Sequence, residues 1–445
     1  MGAALMEDQH LELLTSLQRD SFAYFVHEMN EANGLVADKT AENWPASIAA
    51  VGMALTVYTV GVERGFFPRE RAARRTLTTL RFFANSEQSE APDATGYKGF
   101  YYHFLDMETG KRAWHCELSS IDTALLIAGV LTSRAYFQQD NAVEQEIREL
   151  ADLLYRRVDW QWMLAGSELM CHGWKPEHGF LQWHWEGYDE ALILYLLALG
   201  SPTFPIGPEH YSAWTGSYEW KSIYGVDYLY AGPLFIHQMS HLWIDFRGIR
   251  DAYMRGRDCD YFENSRRATI VQQKYAILNP LGFEQYGALC WGVTASDGPG
   301  RCVKKIHGVE RSFFDYVARG APFGPDDGTV APWAVAASLP FAPEIVLPSV
   351  QHFQHLRLRE PNPYGFKASF SPTFHGASDI KAGWVSPYHF GINEGPTVIM
   401  IENHLHDFTW RLMRACPYLT TGLRRAGFTG GWLDAPPPTT TNGTP

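Results

Sequence analysis

The stretch ASIAAVGMALTVYTVGV at residues 46–62 is helical in pattern and contains no charged side chain. The next helical segment, PRERAARRTLTTLRFFAN at 68–85, is rich in Arg, and SSIDTALLIAGVLTSRAYF at 119–137 is again almost wholly apolar. A helix that is apolar on all sides is buried, whereas an amphipathic helix covers it. The alternation therefore predicts an inner set of helices wrapped by an outer set.

The same alternation continues along the chain. Charged segments are predicted at 10–29, 141–159 and 262–279, and apolar ones at 189–200, 230–245, 331–352 and 396–413. Helical hairpins joined head to tail in this way predict an all-α toroid, with an irregular helical bundle as the alternative. We predict one catalytic domain over 1–434 and a disordered Pro/Thr-rich tail at 435–445.

Composition excludes several classes of protein. The chain has 445 residues, 46% of them hydrophobic, and a formal net charge of -12, so it can bury a large core and is unsuited to binding nucleic acid. It has no run of 18 purely apolar residues, so we expect no membrane partner. The N-terminus lacks a signal-peptide pattern, which predicts a cytoplasmic location, or a periplasmic or secreted one if a leader has been removed. The six scattered cysteines predict reduced thiols.

Two β-hairpins are predicted, each directly before an uncharged helix. The first spans 99–116 with its turn at 106–110, and the second spans 170–185 with its turn at 175–179. Both deliver aromatic and acidic residues to the start of a predicted inner helix.

Two acid clusters follow these hairpins. The first contains Glu117 and Asp122, and the second contains Glu186, Asp189 and Glu190. Glycoside hydrolysis needs one carboxylic acid to protonate the leaving oxygen and one carboxylate to act as base or nucleophile, so two acids from different elements must share a cleft. Helix capping is the alternative, and it explains Asp122, in an S-x-x-D box, as well as catalysis does. Capping does not explain Glu117.

Metal chemistry is not predicted at this cleft. His237 and His241 are four residues apart, but no third ligand and no H-E-x-x-H signature accompany them. We expect them to line the cleft as polar groups, and we expect no cofactor. Asp326-Asp327-Gly328 is interpreted as a turn.

Six blocks in order resemble the glucoamylase-like bacterial proteins, a group that includes glycoside hydrolase family 144. The blocks are LSSIDTALLIAG (118–129), EGYDEA (186–191), GPLFIHQMSH (232–241), YFENSR (261–266), WGVTASDGP (291–299) and GINEGP (391–396). The resemblance covers nearly the whole chain. It implies an (α/α)6 toroid and a metal-independent, inverting β-1,2-glucanase.

The resemblance also implies roles for particular residues. It carries Glu190 and Asp122 over as the catalytic acids, with Glu117 as a neighbour whose role stays open. Asn393-Glu394 departs from the family pattern, in which Asp-Gln is expected, so linkage or endo versus exo action can differ. The side chains predicted to contact substrate are Trp114, Trp185, Glu186, Tyr188, Trp220, His237, Gln238, His241, Asp297 and Glu394.

The predicted function is an endo-acting, inverting hydrolase of β-1,2-glucan that uses paired carboxylates. An exo-acting disaccharide-releasing enzyme or a transglycosylase on the same scaffold is the first alternative, and a non-catalytic glucan-binding protein is the second. The predicted partner is the glucan itself, and we expect a monomer.

Overall fold

The computed structural model describes residues 2–360, 364–375 and 382–434, and helices dominate it. The predicted tail at 435–445 lies outside the described residues. The helices are α1 (Gly2–His27), α2 (Ile48–Glu63), α3 (Arg69–Asn85), α4 (Ser120–Tyr136), α5 (Ala142–Arg157), α6 (Trp160–Met163), α7 (Leu192–Gly200), α8 (Pro208–Thr215), α9 (Ala252–Arg255), α10 (Tyr261–Leu278), α11 (Pro332–Ala337), α12 (Pro343–His355), α13 (Gly391–His406), α14 (Phe408–Arg414), α15 (Pro417–Arg425) and α16 (Gly431–Asp434).

The uncharged helices α2 and α4 are buried against each other. Every residue of α2 from Ile48 to Gly61 is buried, and serine side chains cap both helices at their N-termini. The two backbones approach closely because glycines face the contact. A Cβ added at Gly129 would lie 2.1 Å from the carbonyl oxygen of Gly52, so only glycine fits there.

The charged helices cover this inner pair. Helices α3 and α5 pack on each other, and they also pack on α2 and α4 respectively. Each buries one face, as expected for an amphipathic helix. Arg69 at the start of α3 donates to the buried carboxylate of Glu144 in α5, at 2.9 Å, which links the outer helices.

Further contacts extend the inner set. Helix α4 contacts α7, α11 contacts α13, and α13 contacts α2, while α1, α12 and α15 cover α13, α11 and α7 respectively. The predicted helical class and the division into buried and covering helices are confirmed for these elements. The closed toroid stays a prediction.

Three predicted apolar segments were wrong in detail. Residues 230–245 form two short 3-10 turns, Leu234–His237 and Met239–Leu242, instead of one helix. The segment 331–352 divides into α11 and α12, and 396–413 divides at Asp407 into α13 and α14. Apolar composition predicts burial but not backbone continuity, and Asp407 has a positive φ of 55° that ends α13.

Short strands support the helix entries. They are β1 (Ala46–Ser47), β2 (Gly96–Tyr97), β3 (Phe100–Tyr101), β4 (Phe104–Leu105), β5 (Leu118–Ser119), β6 (Gly173–Lys175), β7 (Gly179–Phe180), β8 (Trp220–Ile223), β9 (Val226–Leu229), β10 (Ala295–Ser296), β11 (Cys302–Ile306), β12 (Val309–Phe313), β13 (Val317–Ala318), β14 (Phe370–Ser371) and β15 (Trp384–Val385).

The second predicted hairpin is confirmed as β6–β7, which joins β5 in a three-stranded sheet. The first is confirmed only at its turn, where Leu105 bridges Arg112. Strand β4 instead pairs with β1, so the residues before α2 and the first hairpin are joined. The hairpins thus fix the chain directly before α2 and α4. No helix of the described ranges has the length and apolarity needed to cross a bilayer.

Candidate active site

A pocket of about 360 Å³ opens where the N-terminal ends of several buried helices meet. Asp122 comes from the first turn of α4, Glu190 from the loop before α7, Trp333 from the first turn of α11, and Asn393 from the first turn of α13. The full lining is His103, Glu117, Ser119, Ile121, Asp122, His172, Leu181, Trp185, Glu190, Phe235, Met239, Ala295, Tyr316, Trp333, Ile392 and Asn393. The pocket therefore combines acids, imidazoles and aromatic rings.

Glu190 is the acid in this pocket that holds its proton most strongly. It lies two residues before α7 and is partly buried in the pocket wall. Desolvation raises the pKa of Glu190 to about 8, and the negative charge of Asp122 is the next largest cause. The carboxyl group is thus protonated at neutral pH, which is the state that a general acid requires.

His103 lies between two carboxylates. Its Nδ1 is 3.0 Å from Oε1 of Glu117, and its Nε2 is 3.6 Å from Oδ2 of Asp122. Burial lowers the pKa of His103, but the charges of Asp122, Glu117 and Asp38 outweigh burial and raise it to about 9. The imidazole is therefore charged at neutral pH and balances the negative charge of the pocket.

Glu117 is held in its ionised form by this imidazolium. Burial raises the pKa of Glu117, but the hydrogen bond from His103 and its charge produce a net lowering. Glu117 and Glu190 line the same pocket and are shifted in opposite directions. Such a separation of carboxyl pKa values is characteristic of sites that assign acid and base roles to two acids.

Asp122 has the capping role that the sequence left open, and it also lines the pocket. Its backbone N–H donates to Oγ of Ser119 at 3.1 Å, as in a helix cap, and the Ser119 hydroxyl donates back to the Asp122 carboxylate. The same carboxylate oxygen faces His103 in the pocket. The capping interaction fixes the side chain, and the pocket position gives it access to a ligand.

Four features of the site were not identified from the sequence. His103 lies within the first predicted hairpin and His172 within the second, but neither of them, nor Asp38 or Tyr316, was predicted to belong to the site. Burial raises the pKa of Asp38 to about 6, and its carboxylate accepts a 3.0 Å hydrogen bond from Nε1 of Trp44. Asp38 and Tyr316 lie in loops, where no helical or strand periodicity indicates which side chains face a pocket.

A family model described as "Putative glucoamylase" matches residues 182–417, which is more than half of the chain. The chain belongs to this family. The resemblance seen in the six sequence blocks is thereby confirmed.

Two solved structures, one described as a glucoamylase and one as a glucanase, are similar to nearly the whole chain. A glucoamylase-family protein of Bacteroides uniformis is 30% identical, with a TM-score of 0.83 over 96% of this chain and 99% of the other. The endo-β-1,2-glucanase of Chitinophaga pinensis, in complex with sophorotriose and glucose, is 25% identical, with a TM-score of 0.83 over 95% of this chain and 99% of that one.

A curated relative has a different mode of action. It is an exo β-1,2-glucooligosaccharide sophorohydrolase (non-reducing end) of Parabacteroides distasonis, 28% identical over 93% of this chain. The chain spans 57% of the length of that relative. Among these relatives of the glucoamylase family, both endo and exo enzymes therefore occur.

Several residues predicted to contact substrate in this glucoamylase-family chain lie at or near the pocket. Trp185 lines it, donates from Nε1 to Oγ of Ser120 at 2.9 Å, and stacks on His172 with ring centroids 3.9 Å apart. Trp114 is outside the lining but 54% exposed, and its ring packs edge-on against Trp44 at 4.7 Å. These two tryptophans offer flat faces of the kind that stack on sugars.

Asp297 and Glu186 are outside the lining residues. Asp297 accepts a 2.8 Å hydrogen bond from the Ser386 hydroxyl, and its charge is one cause of the raised pKa of Tyr316, after burial and the charges of Asp38 and Glu190. Tyr316 therefore lines the pocket within the electrostatic influence of these carboxyl groups. Glu186 is exposed on the loop before α7.

The structure places the other predicted contacts away from the lining. Tyr188 packs on His237, with ring centroids 5.2 Å apart, and Trp220 lies in the β8–β9 hairpin beneath Arg257. Gln238 is fully buried and donates to the Ser338 hydroxyl at 2.7 Å. These side chains therefore do not line the pocket.

The remaining three predicted contacts, His237, His241 and Glu394, are buried. Nε2 of His241 is 3.0 Å from the Ser265 hydroxyl, and burial lowers the pKa of His237 to about 4 and that of His241 to about 3. Glu394 is 3% exposed, with its Oε1 2.9 Å from Nδ1 of His389. Within the described residues, a group of side chains that could hold a metal ion lies elsewhere, at Glu284, His307 and His375.

Proposed function

We propose that this chain is a glycoside hydrolase of β-1,2-linked glucan, with Glu190 as the general acid, built on a closed (α/α)6 toroid. The observation that carries the proposal is the pocket in which a protonated Glu190 faces the charged Asp122–His103–Glu117 group. Two relatives whose names specify β-1,2-glucan substrates support the substrate class. The succession of contacts among α2, α4, α7, α11 and α13 supports the toroid.

The acid half of the reaction follows from the environment of Glu190. Transfer of its proton to the glycosidic oxygen neutralises the developing charge on the leaving sugar. Because desolvation disfavours the carboxylate, the side chain keeps its proton until the leaving oxygen becomes basic. The nearby aromatic ring of Trp185 provides an apolar wall for the sugar.

Asn393 cannot act as the catalytic base of the reaction. The family pattern led us to expect an Asp at this pocket position, and a neutral amide accepts no proton at any accessible pH. We assign the base or water-positioning role to Asp122, whose carboxylate is held by Ser119 and His103. His103 is a positioning residue in this scheme, because its imidazolium orients both Asp122 and Glu117.

We further propose inversion at the anomeric carbon and endo cleavage. An inverting enzyme leaves room for a water molecule between its acids, with the carboxyls about 6.5–9.5 Å apart, whereas a retaining enzyme holds them at about 5–5.5 Å. Proton NMR of the first product formed distinguishes the two outcomes by its anomeric configuration. Retention, or transfer of the glycosyl unit to an added sugar acceptor, would favour the transglycosylase alternative.

Exo cleavage is the second candidate, and the 28% identical sophorohydrolase favours it. The test is incubation of the full chain with β-1,2-, β-1,3-, β-1,4- and α-1,4-glucans, followed by chromatography of early products. A mixture of long oligosaccharides from β-1,2-glucan alone supports endo action, and disaccharide as the sole early product supports exo action. Binding of β-1,2-glucan without any product would indicate a non-catalytic protein and overturn the hydrolase proposal.

A further inference from the structure

Three side chains from distant parts of the sequence converge outside the pocket. Glu284 follows α10, His307 lies in the turn between β11 and β12, and His375 follows β14. Nε2 of His307 is 2.9 Å from Oε1 of Glu284, and Nε2 of His375 is 2.6 Å from the same oxygen. One ligand atom from each residue lies within 4.8 Å of the other two. We call this group the Glu284 cluster.

Backbone geometry places His307 at the tip of its hairpin. Both residues of the β11–β12 turn have positive φ, 48° at His307 and 82° at Gly308. A turn of this kind favours Asn-Gly, and His is one of the few other residues that occupy positive φ with any frequency. The sequence thus has a histidine where asparagine suits the turn at least as well, and that histidine reaches Glu284.

Ion pairing alone is a weak reason for this arrangement. The side chains of His307, His375 and Glu284 are 77%, 55% and 32% exposed, and exposed pairs of this type contribute little to stability. Both imidazoles also approach Oε1 of Glu284, instead of one imidazole approaching each of the two carboxylate oxygens. Three potential ligand atoms within 4.8 Å of one another, on side chains that solvent reaches, suit a metal ion that also holds a water ligand.

The surrounding contacts hold the three segments in place without an ion. The backbone N–H of Glu284 donates to the Thr373 hydroxyl at 2.9 Å, which joins the Glu284 and His375 segments. Arg311 in β12 donates to the carbonyl of Gly282 at 2.8 Å, which joins the hairpin to the same loop. A surface cleft of about 460 Å³, lined in part by Glu284, His307 and Thr373, gives an ion access.

We propose that the Glu284 cluster binds a divalent transition-metal cation of the zinc class through two imidazoles and one carboxylate. Tetrahedral zinc bonds of about 2.0–2.1 Å separate the ligand atoms by about 3.3 Å, so Nε2 of His307 and Nε2 of His375 would move away from Oε1 of Glu284 by about 0.4 Å and about 0.7 Å respectively. The ion would tie the tip of the β11–β12 hairpin to the loop after α10.

The test is calorimetric titration of ZnCl₂ into the chelator-treated full chain. We expect one Zn²⁺ per chain, with binding weakened at least tenfold in His307→Asn and in His375→Gln. Asn suits the positive φ of the turn, so His307→Asn removes the imidazole while retaining the hairpin. His178→Ala, at an exposed histidine in the β6–β7 turn, is the matched control and should bind Zn²⁺ as the unmodified chain does.

Cobalt provides a second measurement that does not depend on activity. Co²⁺ bound to the unmodified chain should give the strong visible absorption of a four-coordinate site, and His307→Asn should lose it. Hydrogen exchange in β11 and β12 should slow when ZnCl₂ is added. Absence of saturable Zn²⁺ binding, or equal binding by the unmodified chain and a folded His307→Asn, would overturn the proposal. Neither result bears on glucan hydrolysis, because the Glu284 cluster lies outside the pocket lining.

Discussion

Replacing Glu190 with Gln is the most informative perturbation of the pocket. The amide has nearly the same shape as the protonated carboxyl group, so the fold and the glucan-binding surface should be retained. It cannot release a proton to the leaving oxygen. The variant therefore separates general acid catalysis from substrate binding.

The magnitude follows from the role of the residue and from its environment. General acid catalysis contributes about 10²–10⁴ in rate, which is about 2.7–5.4 kcal/mol of transition-state stabilisation. With the pKa of Glu190 at about 8, the protonated fraction falls from about 0.9 at pH 7 to about 0.09 at pH 9. The kcat/KM of the unmodified chain should thus fall about tenfold between pH 7 and pH 9. The residual kcat/KM of Glu190→Gln should not show this decrease at alkaline pH.

The assay is initial-rate hydrolysis of β-1,2-glucan from pH 6 to 10, with binding measured by calorimetry on the same preparations. Glu209→Gln is the control, because Glu209 is an exposed acid in α8 outside the pocket lining, and it should retain near-normal kcat/KM. Stability gives an independent readout. The pKa of Glu190 is about 4.5 in the unfolded chain and about 8 in the folded chain. Between these two pH values the folded state binds one more proton than the unfolded state, so the free energy of unfolding falls as pH rises.

Glu190→Gln removes that penalty, which is on the order of a few kcal/mol once the group is fully ionised. Its melting temperature should therefore rise relative to the unmodified chain between pH 5 and pH 8.5. Near-normal turnover of Glu190→Gln, in a preparation shown to be free of other hydrolases, would refute the assignment. It would direct attention to Asp189, whose pKa burial raises to about 7.

Asp122→Asn should reduce kcat by about 10²–10⁴ if Asp122 is the base. It should also move the alkaline decrease of kcat/KM to lower pH, because the Asp122 charge raises the pKa of Glu190. A stability loss of about 1 kcal/mol with unchanged kcat would indicate that Asp122 acts only as a helix cap. Chelation with EDTA should leave hydrolysis intact, and loss of rate restored by zinc would contradict carboxylate chemistry. Arg74→Ala, at a side chain 71% exposed, should change stability by under about 0.5 kcal/mol, whereas Leu126→Ala, at 1% exposed, should cost about 2–5 kcal/mol by chemical denaturation. Gly129→Ala should cost more than about 2 kcal/mol because its Cβ meets the Gly52 carbonyl, and a melting temperature equal to that of the unmodified chain would disprove the close approach.

The sequence predicted the helical class because burial leaves a direct trace in composition. The uncharged stretch at 46–62 became the buried α2, and the Arg-rich stretch at 68–85 became a covering helix. The apolar stretch at 230–245 misled us. Many of its residues are buried, as their composition indicates, but they form short 3-10 turns. Burial selects for apolar side chains, but it does not select for one particular backbone conformation.

The sequence by itself determined which acids lie at the N-terminal ends of α4 and α7. Helix capping and the hairpins that precede these two helices are local features, and they place Asp122 and Glu190 within a few residues of the helix starts. Only the tertiary structure decided which other groups share their pocket. His103 and Tyr316 line it from loops far apart in the chain, and the charge of Asp38, from a third loop, contributes to the raised pKa of both. Local patterns report on neighbours a few residues away, whereas these electrostatic interactions act across space between segments that only folding brings together.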